Sequence, residues 1–275
     1  MITGATRLAG VIGDPVRHSR SPAMFNAAFA AAGLDWVYVA FPVSAGRGRD
    51  AVAAMRWLDI AALNVTMPHK AEAAVSCDAL VGDALVLGVA NSVVLRPDGC
   101  IEGAVTDGDG LVRAVRELGG VLEDASVCVL GAGGAARAIT LALGRAGAHV
   151  TVVAREVAAA QAVAAFAPGA LGIAWADRDQ AARESTLIVN ATPIGMQGEP
   201  APISVAALSA HTIVLDTVYS PAHTALVDAA QERGLVAANG LSMLVHQAAL
   251  AFEFFTGVAA PLDVMRWAAA DSHGS

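Results

Sequence analysis

The stretch Val127-Cys128-Val129-Leu130-Gly131-Ala132-Gly133-Gly134-Ala135-Ala136-Arg137-Ala138 decides how this chain is read. Four apolar residues read as a buried strand, glycine then permits a tight turn, and an alanine-rich segment reads as a helix. A strand that turns into a helix in this way presents free N–H groups and the positive end of the helix dipole, which suits a pyrophosphate. The run departs from G-x-G-x-x-G in carrying Ala136 at the third glycine position, an accepted variant. A tight turn without a ligand is the bland alternative, but the strand before and the helix after are the context that a dinucleotide site requires. Gly131, Ala132, Gly133, Gly134 and Ala135 are therefore candidate cofactor contacts. The next strand, His149–Val153, runs into Ala154-Arg155-Glu156. An arginine there suits the 2′-phosphate of NADP, whereas Glu156 would repel it, so NADP is favoured and NAD stays as the alternative.

The strand–helix alternation extends outward from this loop. Leu111–Leu118 reads as a helix, Ser126–Leu130 as a strand, Ala135–Ala146 as a helix, and Thr186–Asn190 and Thr212–Leu215 as strands before a helix at Thr224–Glu232. Apolar strands alternating with helices imply a parallel sheet covered on both faces. Toward the N-terminus, Leu8–Ile12, Trp36–Phe41 and Ala61–Val65 read as strands and Asp50–Leu58 as a helix. Ser21-Pro22 reads as a helix start with Ser21 as N-cap, and Pro68-His69-Lys70 as another. Val89–Leu95 and Cys100–Val105 flank Pro97-Asp98-Gly99 as a hairpin. Gly240–Phe255 and Leu262–Ala270 read as closing helices and Asp271–Ser275 as a frayed tail.

Composition removes several classes of function. The 275 residues carry a net charge of −8, with 15% charged and 56% hydrophobic residues. Such a chain is apolar enough to fold, and its negative charge and lack of a basic cluster argue against nucleic acid as a partner. Its longest uncharged stretches, Val157–Ala176 and Gly234–Phe252, are broken by Pro, Gly and polar residues, so no membrane helix is expected. Met1–Gly13 lacks the features of a signal peptide. Cys77, Cys100 and Cys128, widely spaced, suit reduced cytoplasmic thiols better than a disulfide or zinc framework, and no metal site is expected. Of 17 basic residues only Lys70 is a lysine.

A set of polar residues falls at the expected strand ends, where open α/β sheets bind ligands. Ser19 and Ser21 follow the first strand, and Asn64, Thr66 and Lys70 surround the end of the third. Asn91-Ser92 interrupts an apolar run, and Thr106-Asp107 follows the next strand. Singly, Ser21 and Asp107 could be helix N-caps and Asn91 a turn residue. Together they form a set of hydroxyls and amides suited to a polyhydroxylated ligand.

With these motifs the chain resembles the shikimate dehydrogenase family over nearly its whole length. The resemblance rests on Gly10–Pro22, Asn64–Lys70, Thr106-Asp107, the glycine loop, Asn190–Met196, Asp216–Pro221 and Gly240–Gln247, in that order. It implies an α/β protein with an N-terminal substrate domain over residues 1–105 and a Rossmann-like, doubly wound NADP domain over 106–238. C-terminal helices over 239–275 would return to the first domain. It implies Lys70 and Asp107 as the catalytic pair, and Ser19 and Ser21 as holders of the substrate carboxylate with Tyr219 nearby. Thr66, Asn91, Asp107 and Gln247 would bond the ring hydroxyls. On the cofactor side it adds Thr192, Thr217 and Gly240 to the glycine loop and Arg155. The implied reaction is reversible NADPH-dependent reduction of 3-dehydroshikimate to shikimate on the route to chorismate and the aromatic amino acids. A cytoplasmic enzyme is implied, and a homodimer is compatible with it.

Several positions depart from the family. Phe25 stands where it usually has His, Ser92 where it has Thr, and Val105 where it has Asn; Ala154-Arg155-Glu156 replaces Asn-Arg-Thr, and Ser242 replaces a common Gly. Buried polar groups matched to a substrate confer large discrimination, so these changes bear on the substrate more than on the reaction class. Two other readings follow: a paralogue acting on quinate, an aminoshikimate or another cyclic hydroxy acid, with NAD as its cofactor, and a dinucleotide-binding regulator without turnover.

Overall fold

The structure, a computed structural model, describes residues 2–271. Its elements in chain order are β1 (Arg7–Gly13), α1 (Ser21–Ala31), β2 (Trp36–Pro42), α2 (Gly48–Leu58), β3 (Ile60–Val65), α3 (Lys70–Ser76), β4 (Ala79–Leu80), α4 (Asp83–Leu87), β5 (Ser92–Leu95) and β6 (Ile101–Ala104). There follow α5 (Asp107–Glu117), β7 (Ser126–Leu130), α6 (Gly134–Arg145), β8 (His149–Ala154), α7 (Val157–Ala164), β9 (Leu171–Ala174), α8 (Arg178–Arg183) and β10 (Leu187–Asn190). The last are β11 (Ile213–Asp216), α9 (Ala225–Glu232), β12 (Val236–Ala238), α10 (Leu241–Thr256) and α11 (Leu262–Asp271). The chain divides into two compact units, one running to Thr106 and resuming at Val245, the other spanning Asp107–Leu244. No helix among the described residues is long and apolar enough to cross a membrane.

The second unit is built on a six-stranded sheet, β9-β8-β7-β10-β11-β12, parallel throughout. Numbered by chain order within the unit this is 3-2-1-4-5-6, the doubly wound order with its switch point between β7 and β10. Strand alternation explains the two covered faces. Val127 and Val129 enter one core with Leu111, Ile139 and Leu143, whereas Cys128 and Leu130 enter the other with Ile188, Val214 and Leu226. At Gly108 an added Cβ would lie 2.3 Å from the Ala138 carbonyl oxygen, so α5 and α6 approach backbone to backbone.

The first unit has a mixed six-stranded sheet, β2-β1-β3-β5-β6-β4. β1 runs parallel to β2 and β3, and β5 is antiparallel to β3 and β6. One face buries Ile12, Leu63, Val65 and Val93 against Val52, Met55 and Ala73 of α2 and α3. The other is aromatic: Phe25 stacks on Tyr38 with ring centroids 4.4 Å apart and also meets Phe29, Phe252 and Phe255. Burying each such ring is worth about 1.5–3 kcal/mol, so α10 and α1 are held together by their aromatic residues.

The structure corrects several sequence expectations. Ser21 is the first residue of α1 rather than its cap; Arg20 occupies the cap position, and no side chain caps the helix. Residues 89–91 lie outside the hairpin strand, because Asn91 is turned toward the Thr106 amide. Asp271 belongs to α11, and the rest of the expected frayed tail, 272–275, lies outside the described residues. The short elements β4, α4, α7, β9, α8 and β12 carry periodicity too brief or too alanine-rich to read from pattern alone.

The outer edge of β2 has a specific cover. Asn26 Nδ2 donates to the Tyr38 carbonyl at 2.9 Å, and Asn26 Oδ1 accepts from the Tyr38 amide at 2.8 Å. One side chain thus takes the place of a neighbouring strand. Removing it strands two part-buried backbone groups. Asn26→Ala should lower unfolding free energy by about 1–3 kcal/mol, read by urea denaturation; an unchanged midpoint would contradict this role.

Candidate active site

The polar residues of the first unit meet at one edge of its sheet because of strand direction. β1 and β3 end there, antiparallel β5 begins there, and β6 ends there, with Val11 beside Asn64, Asn64 beside Ser92 and Ser92 beside Ala104. Ser19 and Ser21 follow β1, Thr66 and Lys70 follow β3, Asn91 precedes β5, Thr106 follows β6, and Gln247 reaches the same edge from α10.

A continuous hydrogen-bond network runs from Ser21 through Tyr38, Asn64, Ser92, Asn91 and Thr106 to Gln247. Ser21 bonds the Tyr38 phenol, and Tyr38 donates to Asn64 Oδ1 at 2.7 Å. Asn64 Nδ2 donates to the Asn91 carbonyl at 3.3 Å and to Ser92 Oγ at 3.2 Å. Ser92 Oγ donates to Asn91 Oδ1 at 3.1 Å, which also accepts from the Thr106 amide at 2.9 Å. Asn91 Nδ2 donates to Thr106 Oγ1 at 3.1 Å, and Thr106 Oγ1 to Gln247 Oε1 at 3.3 Å. Burial pushes the Tyr38 phenol well above its usual range, so it stays a donor. Tyr38 was not among the expected site residues. The signal for it was a hydroxyl-bearing side chain within the otherwise apolar Trp36–Pro42. Ser92 lies wholly inside the network, where a hydroxyl is required. Phe25 lies wholly within the aromatic core, stacked on Tyr38.

Lys70 is half-buried as the first residue of α3, and its carbonyl accepts from the Ala90 amide at 3.0 Å. The preceding His69 is fully buried, with Nε2 2.8 Å from the Val43 carbonyl. Glu72 accepts from the Gly48 amide at 2.7 Å, so the first turn of α3 is tied to the start of α2. Thr66 has room because Gly13 has no side chain: an added Cβ would lie 2.3 Å from Thr66 Cγ2. Asp107 follows Thr106 in the chain as the buried first residue of α5, and Tyr219 lies half-buried beyond β11; both belong to the second unit.

In the second unit the glycine loop sits at the switch point. Gly131 has φ +113°, and a Cβ there would lie 2.8 Å from the Ala191 carbonyl oxygen, so only glycine lets the ends of β7 and β10 approach this closely. Gly133 and Gly134 are exposed with open space around them, and no side chain caps α6. The uncapped N-terminus of this twelve-residue helix fits a pyrophosphate. Thr192 follows β10 and Thr217 follows β11. Gly240 lies against Thr217, where a Cβ would come within 2.1 Å of its carbonyl oxygen. Arg155 and Glu156 are exposed past the end of β8. A cavity of about 390 Å³ in this unit opens at the opposite edge of the sheet, lined by Ser126, His149 and Thr151 at the strand starts, away from the loops that carry the candidate residues. Burial pushes the Cys77 and Cys128 thiols up to about 12, which disfavours thiolate chemistry at either.

Comparison with known proteins agrees with this geometry. Residues 11–93 match the shikimate dehydrogenase substrate binding domain, and residues 240–269 match the shikimate 5′-dehydrogenase C-terminal domain. A shikimate dehydrogenase (NADP+) of Symbiobacterium thermophilum is 42% identical over 97% of this chain and 94% of its own length. The crystal structure of shikimate 5-dehydrogenase from Listeria monocytogenes in complex with shikimate and NAD superposes with a TM-score of 0.89 at 36% identity, covering 97% of both chains. Quinate dehydrogenase from Corynebacterium glutamicum in complex with NAD superposes with a TM-score of 0.88 at 31% identity, covering 96% of this chain and 98% of that one. Near-full-length identity at this level, together with the ordered motifs, leads to one conclusion: the chain belongs to the shikimate dehydrogenase family.

Proposed function

We propose that this protein reduces 3-dehydroshikimate to shikimate reversibly with NADPH, on the route to chorismate and the aromatic amino acids. The observation that carries the reading is the amide and hydroxyl network from Ser21 to Gln247, at the same sheet edge as the chain's only lysine. The substrate domain is the unit that runs to Thr106 and to which the chain returns at Val245, and the dinucleotide domain is Asp107–Leu244, in place of the expected boundaries at 105/106 and 238/239. The aromatic contacts of Phe252 and Phe255 with Phe25 support that return. A cytoplasmic setting suits the three free thiols.

Each residue has a task set by its chemistry. Ser19 and Ser21 hold the substrate carboxylate, with Tyr219 nearby, the Ser21 hydroxyl turning to it from the Tyr38 phenol; the 3.2 Å bond from the Ser21 amide to Ser19 Oγ keeps these serines together. Thr66, Asn91, Asp107 and Gln247 bond the ring hydroxyls. The Lys70 ammonium stabilises the negative charge that develops on the carbonyl oxygen and supplies its proton, while Asp107 orients it. Arginine cannot do this, because it does not lose its proton in proteins. NADPH, when bound, would supply the hydride and leave as NADP+. Gly131, Ala132, Gly133, Gly134 and Ala135 would hold its pyrophosphate, Arg155 its 2′-phosphate, and Thr192, Thr217 and Gly240 the rest of the cofactor.

A second reading keeps this chemistry but takes quinate or another cyclic hydroxy acid, with NAD. The exposed Glu156 beside Arg155 favours it.

Two substitutions test the assignment. Lys70→Arg should lower kcat by about 100-fold or more with KM little changed, measured by steady-state kinetics; full activity would overturn the role of Lys70. Arg155→Ala should lower kcat/KM for NADPH by about 10–100-fold and leave that for NADH nearly unchanged. An equal loss with both cofactors would remove Arg155 from phosphate recognition.

A further inference from the structure

The reaction as derived leaves one buried carboxylate unused. Asp216, the last residue of β11, is fully buried and takes no part in an ion pair among the described residues. A buried unpaired carboxylate is costly unless hydrogen bonds compensate it, so its donors show what it is for. Oδ1 accepts from Asn190 Nδ2 at 2.9 Å and from the Val218 amide at 3.0 Å, and Oδ2 accepts from Thr224 Oγ1 at 2.8 Å.

Each donor leads to a different loop. Asn190 Nδ2 also donates to the Ile194 carbonyl at 3.0 Å, and Asn190 Oδ1 accepts from the Thr192 amide at 3.1 Å and the Thr192 hydroxyl at 2.6 Å. The Val218 amide fixes the turn after Thr217, and the Val218 carbonyl accepts from the Gly240 amide at 3.0 Å. Thr224 caps α9 by accepting from the Val227 amide. We propose that Asp216 is a positioning residue for the cofactor, holding Thr192 through Asn190 and holding Thr217 and Gly240 through the Val218 turn.

This rests on the reading of Thr192, Thr217 and Gly240 as cofactor contacts. All three immediate partners of Asp216 donate to it, so its ionised form satisfies every one of them. Burial raises the Asp216 carboxyl above its usual range, and the three donors offset only part of that rise. The charge is less important than the acceptor geometry. An asparagine amide can keep the Asn190 and Val218 bonds through its oxygen and meet Thr224, whose hydroxyl can turn to accept.

The test is direct titration of NADPH fluorescence on the full chain, beside thermal unfolding and shikimate kinetics. Asp216→Leu should raise the NADPH Kd about tenfold or more, while Asp216→Asn stays within about threefold of the parent. The KM for shikimate should change little in either. Should Asp216→Leu not fold, Asn190→Ala and Thr224→Val remove one arm each, and Asn190→Ala should weaken NADPH the more. Folded variants that bind NADPH like the parent would overturn the positioning role. A parent protein that binds neither NADPH nor NADP would instead overturn the cofactor reading on which it rests.

Discussion

A buried primary amide must satisfy two donor hydrogens and an acceptor oxygen at once, and so tolerates few arrangements of the chain around it. The fold sets this constraint in both units. Asn64, near the end of β3, and Asn190, at the end of β10, are both buried, and each bonds groups from more than one segment. Asn64 joins Tyr38 to the start of β5, and Asn190 joins the turn after β10 to Asp216. Both sit where parallel strands end and backbone groups run out of ladder partners. Side-chain amides there take over from the sheet.

This arrangement separates recognition from chemistry. Under the proposed function, the neutral network of the first unit recognises a carboxylate and ring hydroxyls without adding charge, which leaves Lys70 as the group to move a proton. In the second unit the glycine loop supplies only backbone donors and a helix dipole, which suit a pyrophosphate. Close backbone approach does the rest of the positioning, as at Gly131 against Ala191 and Gly240 against Thr217.

The parts of this that were legible in the sequence are those written in local pattern. Gly131–Ala135 after an apolar strand gave the switch-point strand and its helix, and Asn64–Lys70 gave the junction that carries the lysine. What stayed hidden depends on contacts distant in sequence. Tyr38 reads as one more strand residue until Asn64, 26 residues away, is placed beside its hydroxyl. Phe25 reads as a lost polar ring until its stacking on Tyr38 places it in an aromatic core. Ser21 reads as a helix cap, but its hydroxyl is engaged with the phenol. Asp216 was visible only within a motif, and its three donors come from the end of β10 and from two points of the connection between β11 and α9. Short helices such as α4 and α8 form because packing supports them, and their own sequences are too brief to announce it.

The central claim is that the polar edge of the first unit is shaped for shikimate. The most direct measurement is kcat/KM of the purified protein for shikimate and for quinate, each with NADP and with NAD. Shikimate with NADP should be the preferred combination by a wide margin. Preference for quinate, or equal use of both acids, would contradict it.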